Sequence, residues 1–316
     1  MEVLVLGCRG WGKVHLEALQ KLDLEVSAFA RTDGAIEECS KHARLKKSFT
    51  DVNEAIDSSA DVVDIVLPHT MHKDIAIKAL EKGKHVLVEK PIATTVQDAW
   101  EMVNTARKMK RKFMVTEQFF FDPSVKVARE LIEEGKIGKV HTIIVRSQSK
   151  WKGGGWRASM KEMGGGNLID GGIHFMDTFL NIGGEYDQVK SFTYRTGNII
   201  EGEDETMALF RFKVGAYGMF YYSWNYPNPP LLPRFEIVGN LGSIVENAEV
   251  KLKKPYGPLI VNGRPWHIED VDVYYELLKG FIKSIEEDSE VPFPPELAVR
   301  DLEGVMAIYS ASSGIN

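Results

Sequence analysis

The sequence predicts an α/β protein: an N-terminal doubly wound parallel sheet over residues 1–118, then an α+β domain over residues 119–316 with a large, mostly antiparallel sheet. Three observations carry that expectation. Short apolar β-type runs alternate with amphipathic helical patterns up to about residue 117. Beyond that point, strands follow one another with turns between them. The chain, at 316 residues, also exceeds the size a single core usually serves.

The first half reads in order. "VLVLG" is a buried strand, a helix begins at Trp11, "EVSAFA" is a second strand, and a helix lies near Ile36 to His42. "VVDIVL", a helix from His72, "HVLVEK", a helix capped by Thr94 or Thr95, and "KFMVTE" continue the rhythm of a parallel sheet covered on both faces. In the second half, "PSVKVARELIEEG" is a helix stopped by Gly135. "HTIIVRSQS", "VKSFTYRT", "TMALFRFK", "AYGMFYYSW" and "RFEIVG" are strands, with turns at Val214-Gly215 and "GNLGS". One helix is expected near 168–182 and two more after Asp270.

Composition narrows the partners. A formal net charge of −6 from 39 basic and 45 acidic residues offers no basic field for nucleic acid, so small molecules or proteins are the expected partners. No apolar run approaches a membrane span or a signal segment. The two cysteines, Cys8 and Cys39, make neither a C-x-x-C nor a zinc spacing, so no disulfide framework is expected and a reducing cytoplasm fits. The acidic run "EGEDE" at 201–205 reads as a solvated turn without a role.

Chemistry concentrates in three places. After the first strand, "GCRGWGKVH" sets Gly7, Gly10 and Gly12 at the opening of a helix, the arrangement that lets pyrophosphate approach backbone N–H groups. Arg9 stands at the middle glycine position, Cys8 reads as a small space-filler, and Trp11 is the first helical residue. At the end of the second strand, Arg31 and Thr32 stand where an acid would hold the ribose of NAD, which favours NADP slightly over NAD, while Asp33 keeps NAD open.

Next, "HVLVEKPIATT" carries Glu89-Lys90-Pro91 at the carboxyl end of a parallel strand, the edge where such sheets bind ligands. Finally, "GGGNLIDGGIHFMD" places Asp170 and His174 four residues apart, on one face of a helix, among glycines that would admit substrate and nicotinamide close to the backbone. A hydride transfer from a carbinol carbon needs a base for the hydroxyl proton and a cation for the developing oxyanion. His174 suits the first task and Lys90 the second, with Lys90 as the alternative base.

Taken together, "VDIVLPHTMHKDIAIKALEKGKHVLVEKPIATT", "VTEQFFFDP", "LIEEGKIGKV", "GWR" and "GGGNLIDGGIHFMD" make the chain resemble the glucose-fructose oxidoreductase and inositol dehydrogenase (Gfo/Idh/MocA) family over most of residues 1–182. The resemblance implies a Rossmann domain, an NAD(P) cofactor and a sugar, polyol or related hydroxyl compound as substrate. It implies Lys90, Asp170 and His174 as catalytic residues, Trp156 and Arg157 beside the substrate, and cofactor contacts from Pro68, His72, Glu89, Lys90 and Gln118 as well as the glycine turn. It also implies a homodimer or homotetramer formed through the second sheet. Arg9 and Phe119, the latter where many members carry arginine, depart from the pattern.

Other readings stay open: glycoside cleavage through transient oxidation, which the family also hosts, and a non-catalytic dinucleotide sensor. No metal is expected; a zinc site from His72, Asp170 and His174 lacks a supporting motif. Trp151, Trp224 and Tyr226 are weaker choices for stacking on a sugar.

Overall fold

All five positions of β1 (Glu2–Leu6) are buried, as a central parallel strand covered on both faces requires. The chain continues through α1 (Trp11–Lys21), β2 (Glu25–Phe29), α2 (Asp33–Ser40), β3 (Leu45–Phe49), α3 (Val52–Ile56), β4 (Val62–Ile65), α4 (His72–Glu81), β5 (His85–Val88), α5 (Val96–Met109) and β6 (Phe113–Val115). Every strand pairing here is parallel and the order is β3-β2-β1-β4-β5-β6. Strand order reverses beside β1, so the β1–α1 turn opens at the position where such sheets bind ligands.

This computed structural model describes residues 1–197 and 199–312. They fall into two compact units, Met1–Glu117 with Tyr274–Val299, and Gln118–Val273 with the segment from Arg300. A single split at residue 118 therefore misses the return of Tyr274–Val299 to the first unit. Among the described residues no helix is long and apolar enough to cross a membrane.

Short polar side chains start several of the helices. Thr32 accepts a hydrogen bond from the Ala35 N–H, Thr95 from Asp98, and Asp122 from Ser124, with Pro123 opening the helix that follows it. The second unit runs α6 (Pro123–Glu133), β7 (Val140–Gln148), α7 (Met160–Met163), α8 (Ile173–Gly183), β8 (Tyr186–Tyr194), β9 (Glu205–Phe212), β10 (Tyr217–Ser223), β11 (Phe235–Gly239), β12 (Gly242–Glu246), β13 (Leu259–Val261) and β14 (Arg264–Trp266). After it come α9 (Val273–Glu286) and α10 (Pro295–Ala311).

The eight strands of the second sheet are ordered β14-β13-β12-β11-β7-β10-β9-β8. Only β7 and β10 pair in parallel. Alternation along β9 and β10 gives the sheet one buried and one exposed face. On the buried face the Phe179 ring of α8 lies 5.1, 5.0 and 5.9 Å from Phe210, Phe212 and Phe220.

The sequence reading missed β3 and β12 to β14. β3, "LKKSF", is a polar edge strand with no fully buried residue, so it shows no apolar run. β13 and β14 are three-residue strands joined through Asn262 and Gly263, both at positive φ, which is a turn signal without strands long enough to flag it.

The cysteine expectation is corrected. Cys8 and Cys39 form a disulfide with Cα atoms 5.2 Å apart, and both are buried. Because β2 lies next to β1, the turn after β1 and the end of α2 become neighbours. A separation of 31 residues carries no sign of that.

Candidate active site

The glycine turn of the first unit is shaped for an anion. A Cβ on Gly12 would stand 2.0 Å from the Gly7 carbonyl oxygen, and one on Gly7 would stand 2.3 Å from that of Val66, so turn, helix and β4 approach as only glycine permits. Gly10 is the N-cap of α1 and supplies no side-chain acceptor, while the first turn holds no acid. The Gly12 N–H is taken by the Arg9 carbonyl oxygen, and with no side chain capping α1 the positive end of the helix is open to a negative ligand. Arg9 and Trp11 flank this end and are exposed. Arg31 is exposed just after β2, and the Thr32 hydroxyl accepts the Ala35 N–H as the cap of α2. These residues fit a dinucleotide's phosphates, and the cofactor was the sequence expectation.

Lys90 follows β5, and its two neighbours are each pinned by a buried imidazole. The Glu89 carboxylate, through Oε1, accepts from His15 Nε2 at 3.1 Å and from the Thr116 hydroxyl at 2.8 Å, while His15 Nδ1 donates to Asp64 at 2.8 Å. Burial alone would discharge His15, but the Asp64 and Glu89 carboxylates outweigh it and push its pKa up to about 10. Burial likewise works against ionised Glu89, yet the His15 hydrogen bond and charge, with the Lys90 charge and the Thr116 hydroxyl, bring it down to about 2.

On the other side, the His72 ring nitrogens lie 2.9 Å from the Pro91 and the Leu67 carbonyl oxygens. Burial first, and the neighbouring His69 second, lower the His72 pKa to about 4, so the neutral ring donates to one of the two carbonyls. With both nitrogens facing carbonyls, His72 does not present a lone pair to a metal. Pro68 precedes the 3-10 turn His69–Met71 that leads into α4.

The paired shifts of His15 and Glu89 predict a stability plateau. Glu89, lowered from 4.5 to about 2, contributes stability present above pH 4.5 and lost as pH falls through about 2. His15, raised from 6.5 to about 10, contributes stability fully present below pH 6.5 and lost as pH rises through about 10. Thermal midpoints measured across pH should show both flanks. A His15→Leu variant whose alkaline flank is unchanged would refute the assignment.

In the second unit, the glycine-rich segment gives a wide π turn over Leu168–Gly172 and then α8, so Asp170 and His174 do not share one regular α-helix as expected. Such π turns cluster at functional sites. Asp170 accepts a hydrogen bond from Arg157 Nε at 2.6 Å, and the Arg157 guanidinium sits 4.4 Å from the centre of the Trp156 ring. His174 is buried, with its ring stacked on Phe119 at 4.6 Å and 10°. Phe119 in turn meets Phe175 and Tyr256 edge-on, so the imidazole plane is fixed by an aromatic cluster. Gln118, next to Phe119, keeps its buried Oε1 without a hydrogen bond.

Glycines of this segment serve protein packing. A Cβ on Gly171 would meet the Tyr222 hydroxyl at 2.0 Å, and one on Gly166 the Glu203 carbonyl oxygen at 2.2 Å. The "EGEDE" run is likewise no solvated turn. Glu203 accepts from the Leu168 N–H and the Tyr309 hydroxyl, its carboxyl pushed up by burial. Asp204 takes the N–H groups of Thr196 and Gly197, and Glu205 the Ser223 hydroxyl. Glu203 thus holds the start of the π turn, which acidic composition alone does not reveal. Trp224 is buried with its indole N–H donated to Tyr222, and Trp151 lies against it at 4.7 Å, so Trp224 is committed to packing. Among the described residues no group of three or more His, Cys, Asp or Glu is placed to hold a metal ion.

Comparison with known proteins fits this picture. Residues 1–117 match a profile described as "Oxidoreductase family, NAD-binding Rossmann fold", and residues 125–245 match the GFO/IDH/MocA C-terminal domain. The chain is 30% identical to levoglucosan dehydrogenase of Pseudarthrobacter phenanthrenivorans over 67% of its own length and 62% of that protein. It is 26% identical to myo-inositol 2-dehydrogenase of Thermotoga maritima over 100% and 96%. A solved oxidoreductase from Thermotoga maritima superposes with a TM-score of 0.89 at 25% identity, covering 99% of this chain and 96% of that one. With an NAD-binding Rossmann unit and the matching C-terminal unit in one chain, the protein belongs to the Gfo/Idh/MocA oxidoreductase family.

Proposed function

We propose that this protein is an NAD(P)-dependent dehydrogenase or reductase acting on a CH–OH carbon of a sugar, polyol or related compound. The observation that carries the reading is the assembly of Trp156, Arg157 and Asp170 in the segment that leads directly into His174, whose ring is held by Phe119. A guanidinium–carboxylate pair beside an indole suits a polyhydroxylated ring, which offers donors, acceptors and an apolar face together. The names of the relatives support the substrate class, since one is a levoglucosan dehydrogenase and another a myo-inositol 2-dehydrogenase.

Bound at the glycine turn, a nicotinamide dinucleotide supplies the hydride acceptor or donor. The residues proposed to hold it are Gly7, Arg9, Gly10, Trp11, Gly12, Arg31, Thr32, Pro68, His72, Glu89, Lys90 and Gln118. His72 and Glu89 would contribute by fixing the chain around Lys90. His174 takes the hydroxyl proton, the Lys90 ammonium hydrogen-bonds the same oxygen, and Asp170, fixed by Arg157, orients the substrate. NADP is favoured over NAD because Arg31, after β2, can pair with a 2′-phosphate. The Cys8–Cys39 bridge removes the cysteine argument for a reducing cytoplasm, so that placement rests on the dinucleotide alone and fractionation of the source cells would check it.

A panel of sugars and polyols offered with NAD and with NADP, followed by the absorbance of the reduced dinucleotide, tests the reading. At least one member should turn over, with the higher kcat/KM for NADP. Dinucleotide binding without net turnover of any member would instead point to a sensor or to cleavage by transient oxidation.

The exposed face of the second sheet supports self-association. Phe192, Met207, Leu209, Tyr217 and Met219 are 51, 47, 60, 64 and 38% exposed. They share one side of β8, β9 and β10. An apolar surface of this kind is what a homodimer or homotetramer covers. Sedimentation should give two or four copies, and a monomer at micromolar concentration would count against it.

A further inference from the structure

The first unit buries an ionic cluster that the proposed reaction does not use directly. His15 of α1 is fully buried between Asp64 of β4 and Glu89 at the end of β5, while Thr116, after β6, and Tyr274 of α9 also reach the Glu89 carboxylate, the latter at 3.5 Å. Buried charges cost desolvation free energy, and apolar side chains of similar volume commonly serve stability as well or better. The expense is concentrated at the carboxyl ends of the strands, and Asp64 Oδ1 is left buried without a hydrogen bond. That edge is where such sheets do their chemistry.

The cluster touches two things at once. His15 lies four residues after Trp11 on one face of α1, and both rings contact Tyr274, at 5.3 and 5.5 Å. Glu89 is the residue immediately before Lys90 and is fixed by its backbone N–H to Ile65 as well as by its side chain. A ligand seated on the α1 N-terminus and the lysine after β5 are thus joined through one imidazole and one carboxylate.

We propose that His15 is a positioning residue that acts through Glu89 to hold Lys90 for the reaction, registering it against the helix that bears the dinucleotide. This rests on the reading of Lys90 as the group that hydrogen-bonds the reacting oxygen. His15 itself touches neither substrate nor reacting atoms in this account. What it fixes is the chain from which the ammonium projects.

The test compares His15→Gln, Glu89→Gln and Lys90→Ala, singly and as the His15→Gln/Lys90→Ala and Glu89→Gln/Lys90→Ala pairs, at a temperature well below every unfolding midpoint. kcat is read with the substrate found by the panel, and dinucleotide affinity by fluorescence titration. His15→Gln and Glu89→Gln should each lower kcat about 10–100-fold, with dinucleotide Kd weakened no more than by Lys90→Ala, and neither should lower the residual rate further once Lys90 is alanine. A purely structural cluster would instead add its full loss on top of Lys90→Ala, or weaken dinucleotide binding in step with kcat, and either result overturns the inference. Normal turnover by His15→Gln and Glu89→Gln beside an inactive Lys90→Ala overturns the inference alone. An active Lys90→Ala overturns the reading of Lys90, and the inference with it.

Discussion

His174→Ala is expected to lower kcat by about 10²–10⁴-fold, the range for loss of a positioned general base. Dinucleotide affinity should stay within about threefold of wild type, because the glycine turn and its uncapped helix belong to the other unit. The physical basis is the orientation of the ring. Phe119 stacks on the imidazole at 4.6 Å and is itself wedged by Phe175 and Tyr256, so the ring is held in one plane rather than sampling several. Steady-state kinetics with a fluorescence titration of reduced dinucleotide checks both halves of the expectation. A kcat within threefold of wild type would transfer the role of base to Lys90.

The second large effect is on stability. Replacing both cysteines, Cys8→Ala with Cys39→Ala, should cost about 3–4 kcal/mol, the chain-entropy value for a closed loop of this size, since the bridge spans 31 residues. Cys8 lies inside the glycine turn and Cys39 in α2, so the bridge ties the turn to the helix that follows Arg31 and Thr32. Weaker dinucleotide binding should accompany the lost stability. Because Cys8 is 3% and Cys39 0% exposed, a dithiol reductant should act slowly on the folded protein and quickly in denaturant. Denaturant midpoints of wild type, reduced wild type and the double variant give the answer. Equal midpoints would show that the bridge contributes nothing.

Legibility in the sequence follows burial pattern. The runs that became β1, β4 and β5 are mostly apolar, with Glu2 and His85 at two of the starts and Asp64 inside β4, because both of their faces are covered, and they announced a parallel sheet. β3 could not be seen, since an edge strand written as Leu-Lys-Lys-Ser-Phe carries no such run. Lys90, Asp170 and His174 stood out because motif residues cluster in sequence. The Cys8–Cys39 bridge, the return of Tyr274–Val299 to the first unit and the anchoring of the π turn by Glu203 arise from contacts 31 or more residues apart, which no local pattern encodes. Phe119 was visible as a departure from the family pattern, but its stacking on His174 depends on how α8 lies against the start of the second unit.

The central claim is that a hydride passes between a carbinol carbon and nicotinamide. It is tested most directly with the substrate that the panel identifies, deuterated at its carbinol carbons, by following the label into the reduced dinucleotide by NMR. The account predicts one deuterium delivered to the nicotinamide ring per turnover, with transfer slowed in both His174→Ala and Lys90→Ala. Reduced dinucleotide that carries no deuterium, or label that washes into water, while product accumulates would contradict it.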